Sequence, residues 1–271
     1  SGTTWNAPIN VDGINNGDLE EFRATPSIEA NNDRVLITWS DEYDGTGASS
    51  DLDIVFSTSE DNGASWDEID DISEFYYESI SGTPSLSYSN DYLYLVYLDN
   101  GDYEQITNSN GNDYTSRDGD VFFARSDDGG VNWEEHTVLS IFDDDAETDM
   151  DYSSYTLQYR ADISSTETNV HVAWTDVDLD GNSNIYYTSS SNSGTSWSTP
   201  EKVDDDSSTS TDYGVTIASN NNQIVVAWVN SYDIYVTYSQ DGGDSWSAPS
   251  VVSDSATGLN YMPEITYNSD K

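Results

Sequence analysis

The chain has 271 residues, with 7 Lys and Arg against 52 Asp and Glu, no Cys, 8 Trp and 20 Tyr, and a formal net charge of −45. That charge repels a phosphate backbone, and no basic stripe offsets it, so nucleic acid is excluded as a partner. The longest wholly apolar run, Ile224 to Val229, falls far short of the roughly 20 residues that span a bilayer, so no membrane insertion is expected.

In chain order, one pattern recurs. Residues 1–12 open on Gly2-Thr-Thr-Trp5, the back half of a turn that returns four times, and supply a partial strand. The first repeat, residues 13–79, runs through Pro26-Ser-Ile28, the strand Val35-Leu-Ile-Thr-Trp39, the strand Asp53-Ile-Val-Phe-Ser57 and the turn Ser59-Glu-Asp61-Asn-Gly63-Ala-Ser-Trp66. The second, residues 80–145, repeats this as Pro84-Ser-Leu86, Leu93-Tyr-Leu-Val-Tyr97, Asp120-Val-Phe-Phe-Ala124 and Ser126-Asp-Asp128-Gly-Gly130-Val-Asn-Trp133. The third, residues 146–207, has Ala161-Asp-Ile163, Val170-His-Val-Ala-Trp174, Asn184-Ile-Tyr-Tyr-Thr188 and Ser190-Ser-Asn192-Ser-Gly194-Thr-Ser-Trp197. The fourth, residues 208–252, has Val215-Thr-Ile217, Ile224-Val-Val-Ala-Trp228, Asp233-Ile-Tyr-Val-Thr237 and Ser239-Gln-Asp241-Gly-Gly243-Asp-Ser-Trp246. Residues 253–271 close on Pro263-Glu-Ile265, the start of a fifth inner strand at about Glu264 to Tyr267.

Each turn has its own chemistry: Asp or Asn accepts backbone N–H groups, Gly takes a positive φ, and Trp anchors the turn to the core. A short fourth strand follows each Trp, most clearly in Trp197-Ser-Thr-Pro200-Glu-Lys-Val203 and Trp246-Ser-Ala-Pro249-Ser-Val-Val252. Four short strands per repeat, with turn residues between them and no helical periodicity, predict an all-β chain: a β-propeller of four complete four-stranded antiparallel blades with partial strands at both ends. The fifth blade lacks its two middle strands. Since the chain does not begin with Met, a mature or excised piece of a longer propeller is favoured; a second chain supplying the missing strands at the open ends is the alternative.

The most specific site signal is Asp176-Val-Asp178-Leu-Asp180-Gly181-Asn182-Ser-Asn184. Oxygen ligands at odd positions converge while Gly turns the backbone, which suits calcium. Tyr187 stands where an EF-hand has its bidentate Glu, so this is not a helix-flanked loop; it resembles the calcium loops on hairpins of integrin-type propellers. The other reading is a polar turn whose Asp side chains satisfy backbone N–H groups. The loop belongs to a wider pattern in which the second strand ends on an acid or amide and the third opens on another: Asp41 and Asp53, Asp99 and Asp120, Asp176 and Asn184, Asn230 and Asp233. The first of these loops adds Asp44 and Asp51, a second and weaker metal candidate. Asp99 to Asp120 encloses a long Asn/Gly/Asp loop, and the runs Asp143-Asp-Asp145 and Asp204-Asp-Asp206 read as solvated. His136 and His171 are too isolated for a zinc site.

The turns match Ser-x-Asp-x-Gly-x-x-Trp, and the chain thereby resembles the Asp-box (BNR repeat) sialidase-like β-propellers over essentially its whole length. Ser126 to Trp133 and two other copies match every fixed position, and Asn192 replaces Asp in one. The resemblance implies boxes at the blade periphery and, in catalytic members, an arginine triad for the substrate carboxylate, a Tyr/Glu nucleophile pair and an Asp acid. Phe22-Arg23-Ala-Thr-Pro26 departs from the family's Phe/Tyr-Arg-Ile-Pro, with Pro three rather than two after Arg, and Arg160 has no following Pro. A triad would need Arg117, from the long loop, beside Arg23 and Arg160. These three could instead bind an anionic ligand without catalysis, or Arg23 and Arg160 could pair with Glu20, Glu21 or Asp162. The expectation is therefore a secreted or cell-surface, non-catalytic recognition module for glycans or proteins, stabilised by calcium. A sialidase-type glycoside hydrolase and a surface protein that self-assembles through its open ends are the alternatives.

Overall fold

The computed structural model describes residues 6–11, 23–30, 34–41, 52–73, 81–99, 103–107, 113–117, 120–134, 136–140, 160–177, 182–204, 212–253 and 262–267. Four antiparallel four-stranded sheets follow one another along the chain. The first holds β1 (Arg23–Ala30), β2 (Val35–Asp41), β3 (Asp53–Ser59) and β4 (Asp70–Asp71) in sequential order. The second holds β5 (Ser81–Ser89) and β6 (Tyr92–Asp99), then, past an inserted hairpin of β7 (Tyr103–Thr107) and β8 (Asp113–Arg117), β9 (Asp120–Ser126) and β10 (Thr137–Val138). The third holds β11 (Ala161–Thr166), β12 (Asn169–Val177), β13 (Ser183–Ser190) and β14 (Glu201–Lys202); the fourth holds β15 (Asp212–Asn220), β16 (Gln223–Asn230), β17 (Asp233–Ser239) and β18 (Ser250–Val251).

Strand ends follow turn chemistry. Asn90 and Asp91 (φ 51° and 64°) join β5 to β6, and Ser231 and Tyr232 (φ 49° and 73°) join β16 to β17. Two left-handed central residues make a type I′ turn, whose twist matches a hairpin. In each of the four box turns the serine hydroxyl accepts the glycine amide, as Ser59 Oγ does from Gly63 N (2.8 Å). The acid accepts both groups of the residue four on, as Asp61 does from Ser65 N and Ser65 Oγ (2.7 Å each). Asn192 keeps the amide bond from Ser196 but donates its own Nδ2 to the Ser196 hydroxyl, reversing one bond at no loss of closure.

The core is three cores, one at each junction between successive sheets. Leu36, Ile54, Phe56 and Ile72 of the first sheet meet Leu86, Leu93, Leu95 and Tyr97 of the second. Tyr94, Val96, Val121 and Phe123 meet Ile163, Val170, Val172 and Trp174 of the third. Ala173, Ile185, Tyr187 and Val203 meet Val215, Ile217, Ile224, Val226 and Trp228 of the fourth. Strand alternation explains this, because successive side chains serve the preceding and the following sheet. Three box Trp residues lean edge-on against an aromatic ring of the sheet before them: Trp133 on Phe56, Trp197 on Phe123 and Trp246 on Tyr187.

Two expectations are corrected. Residues 6–10 and 262–267 carry no strand, although the latter lie against the fourth sheet, with Met262 Cα near Gly214 of β15 and Tyr267 Oη donating to Gln223 Oε1 of β16 at 2.7 Å. The segment between Asp99 and Asp120 is not simply a loop: its β-branched and aromatic residues pair Tyr103 with Arg117 and Gln105 with Thr115. The described strands close no sheet into a ring. No helix among the described residues is long and apolar enough to cross a membrane.

Candidate functional site

The first strands of the four sheets, β1, β5, β11 and β15, neighbour one another in turn. A cavity of about 420 Å³ opens along β1, β5 and the start of β11, lined by Thr25, Ser27, Thr83, Ser85, Arg160 and Asp162 together with Met262 and Glu264. A bulge shapes its wall. Register shifts fall at Ala24/Ser27, Gly82/Ser85 and Tyr213/Thr216, and the left-handed residues there are Thr25 (φ 52°), Thr83 (φ 53°) and Gly214 (φ 64°). Met262 repeats that conformation at φ 48°. Glycine takes it without strain, whereas a β-branched residue is strained by roughly 1–3 kcal/mol.

Two residues past each bulge, side chains tie one sheet to the next. Ser27 Oγ accepts Leu86 N (3.1 Å), Ser85 Oγ donates to Asp162 Oδ1 (2.6 Å), and Asp162 Oδ2 accepts both Thr216 Oγ1 (2.8 Å) and Ile217 N (2.9 Å). These bonds occupy polar groups on strand edges that no backbone ladder reaches. Asp162 thereby joins the second, third and fourth sheets.

Arg160 stands on the same wall but is committed. Its Nε donates to Val215 O, Nη1 meets Glu264 Oε1 at 3.1 Å, and Nη2 donates to Pro263 O at 3.4 Å. The expected pairing with Asp162 is corrected, since Asp162 faces hydroxyls and amides instead. Glu20 and Glu21 lie outside the described residues. Arg23 opens β1 opposite Asp41, and Arg117 ends β8 opposite Tyr103, a strand end rather than a loop position. Two further arginines link successive sheets. Arg125 donates to Glu134, to Ser193 O and to Thr195 Oγ1, and lies 5.2 Å from the Tyr92 ring centre, joining the second and third sheets. Arg34 pairs with Glu60 at 2.7 Å and packs on Gly129 of the second sheet's box.

The paired acids and amides are directly opposite in the ladders: Asp41 with Asp53, Asp99 with Asp120, Asp176 with Asn184 and Asn230 with Asp233. Asp41 and Asp53 are buried at 1% and 8% exposure, and Trp39 Nε1 donates to Asp41 Oδ2 at 2.9 Å. Like charges directly opposite repel, and each acid has a donor against it, Trp39 Nε1 on Asp41 and Ser73 Oγ at 3.4 Å on Asp53. Asp176 accepts Trp174 Nε1 at 3.3 Å, and Asn184 Nδ2 donates to Asn182 O at 3.0 Å. Asp44, Asp51, Asp178 and Asp180 lie outside the described residues. No group of three acids, histidines or cysteines that could hold a metal is found among the described residues.

Both histidines are structural: His136 Nδ1 lies 2.6 Å from Tyr97 Oη and His171 Nδ1 2.8 Å from Tyr187 Oη. Burial depresses each to about 4. Asp61 is held down at about 2 by the Ser65 hydroxyl and amide, then by Ser59, which keeps the box acid ionised and committed to its turn.

No protein-family model and no curated protein matches the sequence. Solved structures share its fold at low identity. A leech intramolecular trans-sialidase aligns with a TM-score of 0.62 at 13% identity, over 93% of this chain and 54% of that one. The NanB sialidase of Streptococcus pneumoniae aligns at 0.59 and 13%, over 90% and 54%. A protein of unknown function from Dyadobacter fermentans aligns at 0.59 and 15%, over 86% and 69%. The fold is thus sialidase-like, and the chain spans about half the length of the sialidases it matches.

Proposed function

We propose that the chain is a segment of a sialidase-like β-propeller whose four sheets are successive blades, and that it serves as a non-catalytic recognition module on a secreted or cell-surface protein. The observation that carries this reading is the commitment of Arg160. A sialoside-cleaving site needs a free guanidinium fork for the substrate carboxylate. Here the one cavity-lining arginine among the described residues spends its donors on Val215 O, Pro263 O and Glu264. The inner-strand cavity would receive a glycan or a protein segment, its hydroxyls contributed by Thr25, Ser27 and Ser85.

Calcium is part of the proposal. The loop from Asp176 to Asn184, with Asp178, Asp180 and Asn182 between, would hold one ion, and Asp41 and Asp53 with Asp44 and Asp51 a second. The buried, opposed Asp41 and Asp53 fit a hard cation by their chemistry. Melting in calcium against chelator tests this: a fall in chelator that molar NaCl fails to rescue supports the sites, and identical melting removes them.

A sialidase-type hydrolase is the second reading, favoured by an arginine on the wall of a cavity in a fold shared with sialidases. Turnover of a fluorogenic sialoside, abolished by Arg160→Ala or Arg23→Ala, would replace the first reading with this one. Glycan or protein binding without turnover supports the recognition module.

A further inference from the structure

Residues 262–267 lie against the fourth sheet without joining a ladder, and none of the six is buried. Their opening triplet, Met262-Pro263-Glu264, repeats the pattern of Thr25-Pro26-Ser27 and Thr83-Pro84-Ser85, a left-handed residue ahead of a proline and a polar side chain, with φ 48°, 52° and 53°. Proline has no N–H to give a ladder. Leu86, two residues past Pro84, is nonetheless packed away at 6% exposure, whereas Ile265, two past Pro263, is only half-buried.

Side chains rather than a backbone ladder hold the segment. Arg160 Nη1 meets Glu264 Oε1 at 3.1 Å, Nη2 donates to Pro263 O at 3.4 Å, and Tyr267 Oη donates to Gln223 Oε1. Among the described residues, two of these three contacts pass through Arg160, and Glu264 is 74% exposed, so water competes for its carboxylate. A segment with no buried side chain and so few bonds opens at low free energy. Its departure would bare the part of the cavity wall that Met262 and Glu264 supply. Arg160 would keep its aim, because Nε stays on Val215 O of β15, and its other two nitrogens would then face the cavity as a fork.

We propose that Met262–Tyr267 is a strap over the cavity, pinned by Arg160, and that the partner which displaces it is an extended acidic peptide. This rests on the reading of that cavity as the ligand site. The strap itself carries the ligand chemistry. One guanidinium takes a main-chain carbonyl and the carboxylate of the next residue together, a pairing that an extended peptide supplies at adjacent positions. The tether holds the strap at an effective concentration of about millimolar, which a free peptide must exceed to compete. The net charge of −45 does not forbid an acidic partner. At physiological ionic strength, charges further apart than about 8 Å are largely screened, and the group in contact is a cation.

The test uses the full chain carrying carbon-13 on the methyls of its two methionines, Met150 and Met262. Met262→Leu assigns the strap signal. Arg160→Gln should move the Met262 signal to the position and narrow width of a flexible methionine, with the far-ultraviolet circular dichroism unchanged. Should that variant not fold, Glu264→Gln loosens the same pin from an exposed position. The unlabelled peptide Tyr-Met-Pro-Glu-Ile-Thr-Tyr, the sequence of residues 261–267, is then titrated into wild type and Glu264→Gln. It should shift the Met262 signal of wild type at about millimolar, and that of Glu264→Gln at a concentration about two- to fivefold lower. The same peptide with Gln for Glu should be weaker by a similar factor. 3′-Sialyllactose that displaces the strap where the peptide does not overturns the peptide as partner. A strap that opens in Arg160→Gln yet yields to neither probe overturns this inference together with the ligand-site reading beneath it. A strap that stays shut in both variants overturns the inference and leaves that reading standing.

Discussion

Gly194→Ala isolates the energy of one sheet junction. Gly194 has φ 81°, and a Cβ there would stand 2.6 Å from Phe123 Cε1, inside a ring that is 2% exposed and edge-on to Trp197. Gly63 has the same place in the first box and nearly the same φ, 83°, but the nearest atom to its Cβ is Trp66 Cζ2 at 3.7 Å. Gly242, at φ 79°, meets nothing within 4 Å. All three alanine variants bear the left-handed penalty of about 1–2 kcal/mol. Only Gly194→Ala must also displace a packed aromatic ring, which adds about 1–3 kcal/mol. Urea unfolding should therefore place Gly63→Ala and Gly242→Ala together and Gly194→Ala about 1–3 kcal/mol below them. Three equal losses would refute the claim that the neighbouring sheet requires a glycine at position 194.

Acid should destabilise the fold through its histidines. With His171 depressed to about 4 from 6.5, the unfolded chain takes up the proton first, so stability falls between pH 6.5 and 4, by about 3 kcal/mol for a fully developed shift. His171→Gln should flatten that limb, and an unchanged pH profile would contradict it. Arg125→Lys should cost about 1–3 kcal/mol by losing the fork that holds Ser193 O, Thr195 and Glu134. The exposed Arg34–Glu60 pair should be worth less than about 1 kcal/mol on Arg34→Lys, so equal losses at the two sites would argue against the junction role of Arg125. Thr83→Gly should stabilise by about 1 kcal/mol, since it removes a β-branched side chain from φ 53°; a drop in melting temperature would mean that the Thr83 methyl packs for more than its strain costs.

Much of this fold was legible because the repeat writes every decision four times. The third-strand runs and box turns stand where the periodicity placed them, and the opposed pairs Asp41 with Asp53 and Asp176 with Asn184 fall in register. What the repeat does not write was missed. The β7–β8 hairpin occurs once, inside an Asn/Gly/Asp-rich stretch whose turn residues masked two short strands. Nothing in the sequence ties Arg125 to Ser193 and Thr195 of the next sheet, because a strand's alternation assigns a face but not whether another sheet covers it. Arg160 was matched to Asp162, its neighbour in sequence, although Glu264 lies 104 positions away. Asp204 belongs to an acidic run that reads as solvated, yet both its carboxylate oxygens are buried, which composition alone does not show.

Three separate cores between four successive sheets make cohesion a nearest-neighbour property. Each sheet's pairings join residues close in sequence, so every repeat can zip up from local contacts before docking, which keeps the loop-closure cost of folding low. Stability then grows as a sum of repeat and junction energies, as in a one-dimensional lattice, and a weakened junction divides the array at that point instead of melting it as a whole. Burial at equivalent positions differs between the sheets: Ile28 is 63% exposed, while its counterparts Leu86, Ile163 and Ile217 are 6%, 5% and 4% exposed. Cohesion thus differs from one sheet to another, and hydrogen exchange should register this as slow amides in β6, β12 and β13 and faster ones in β1.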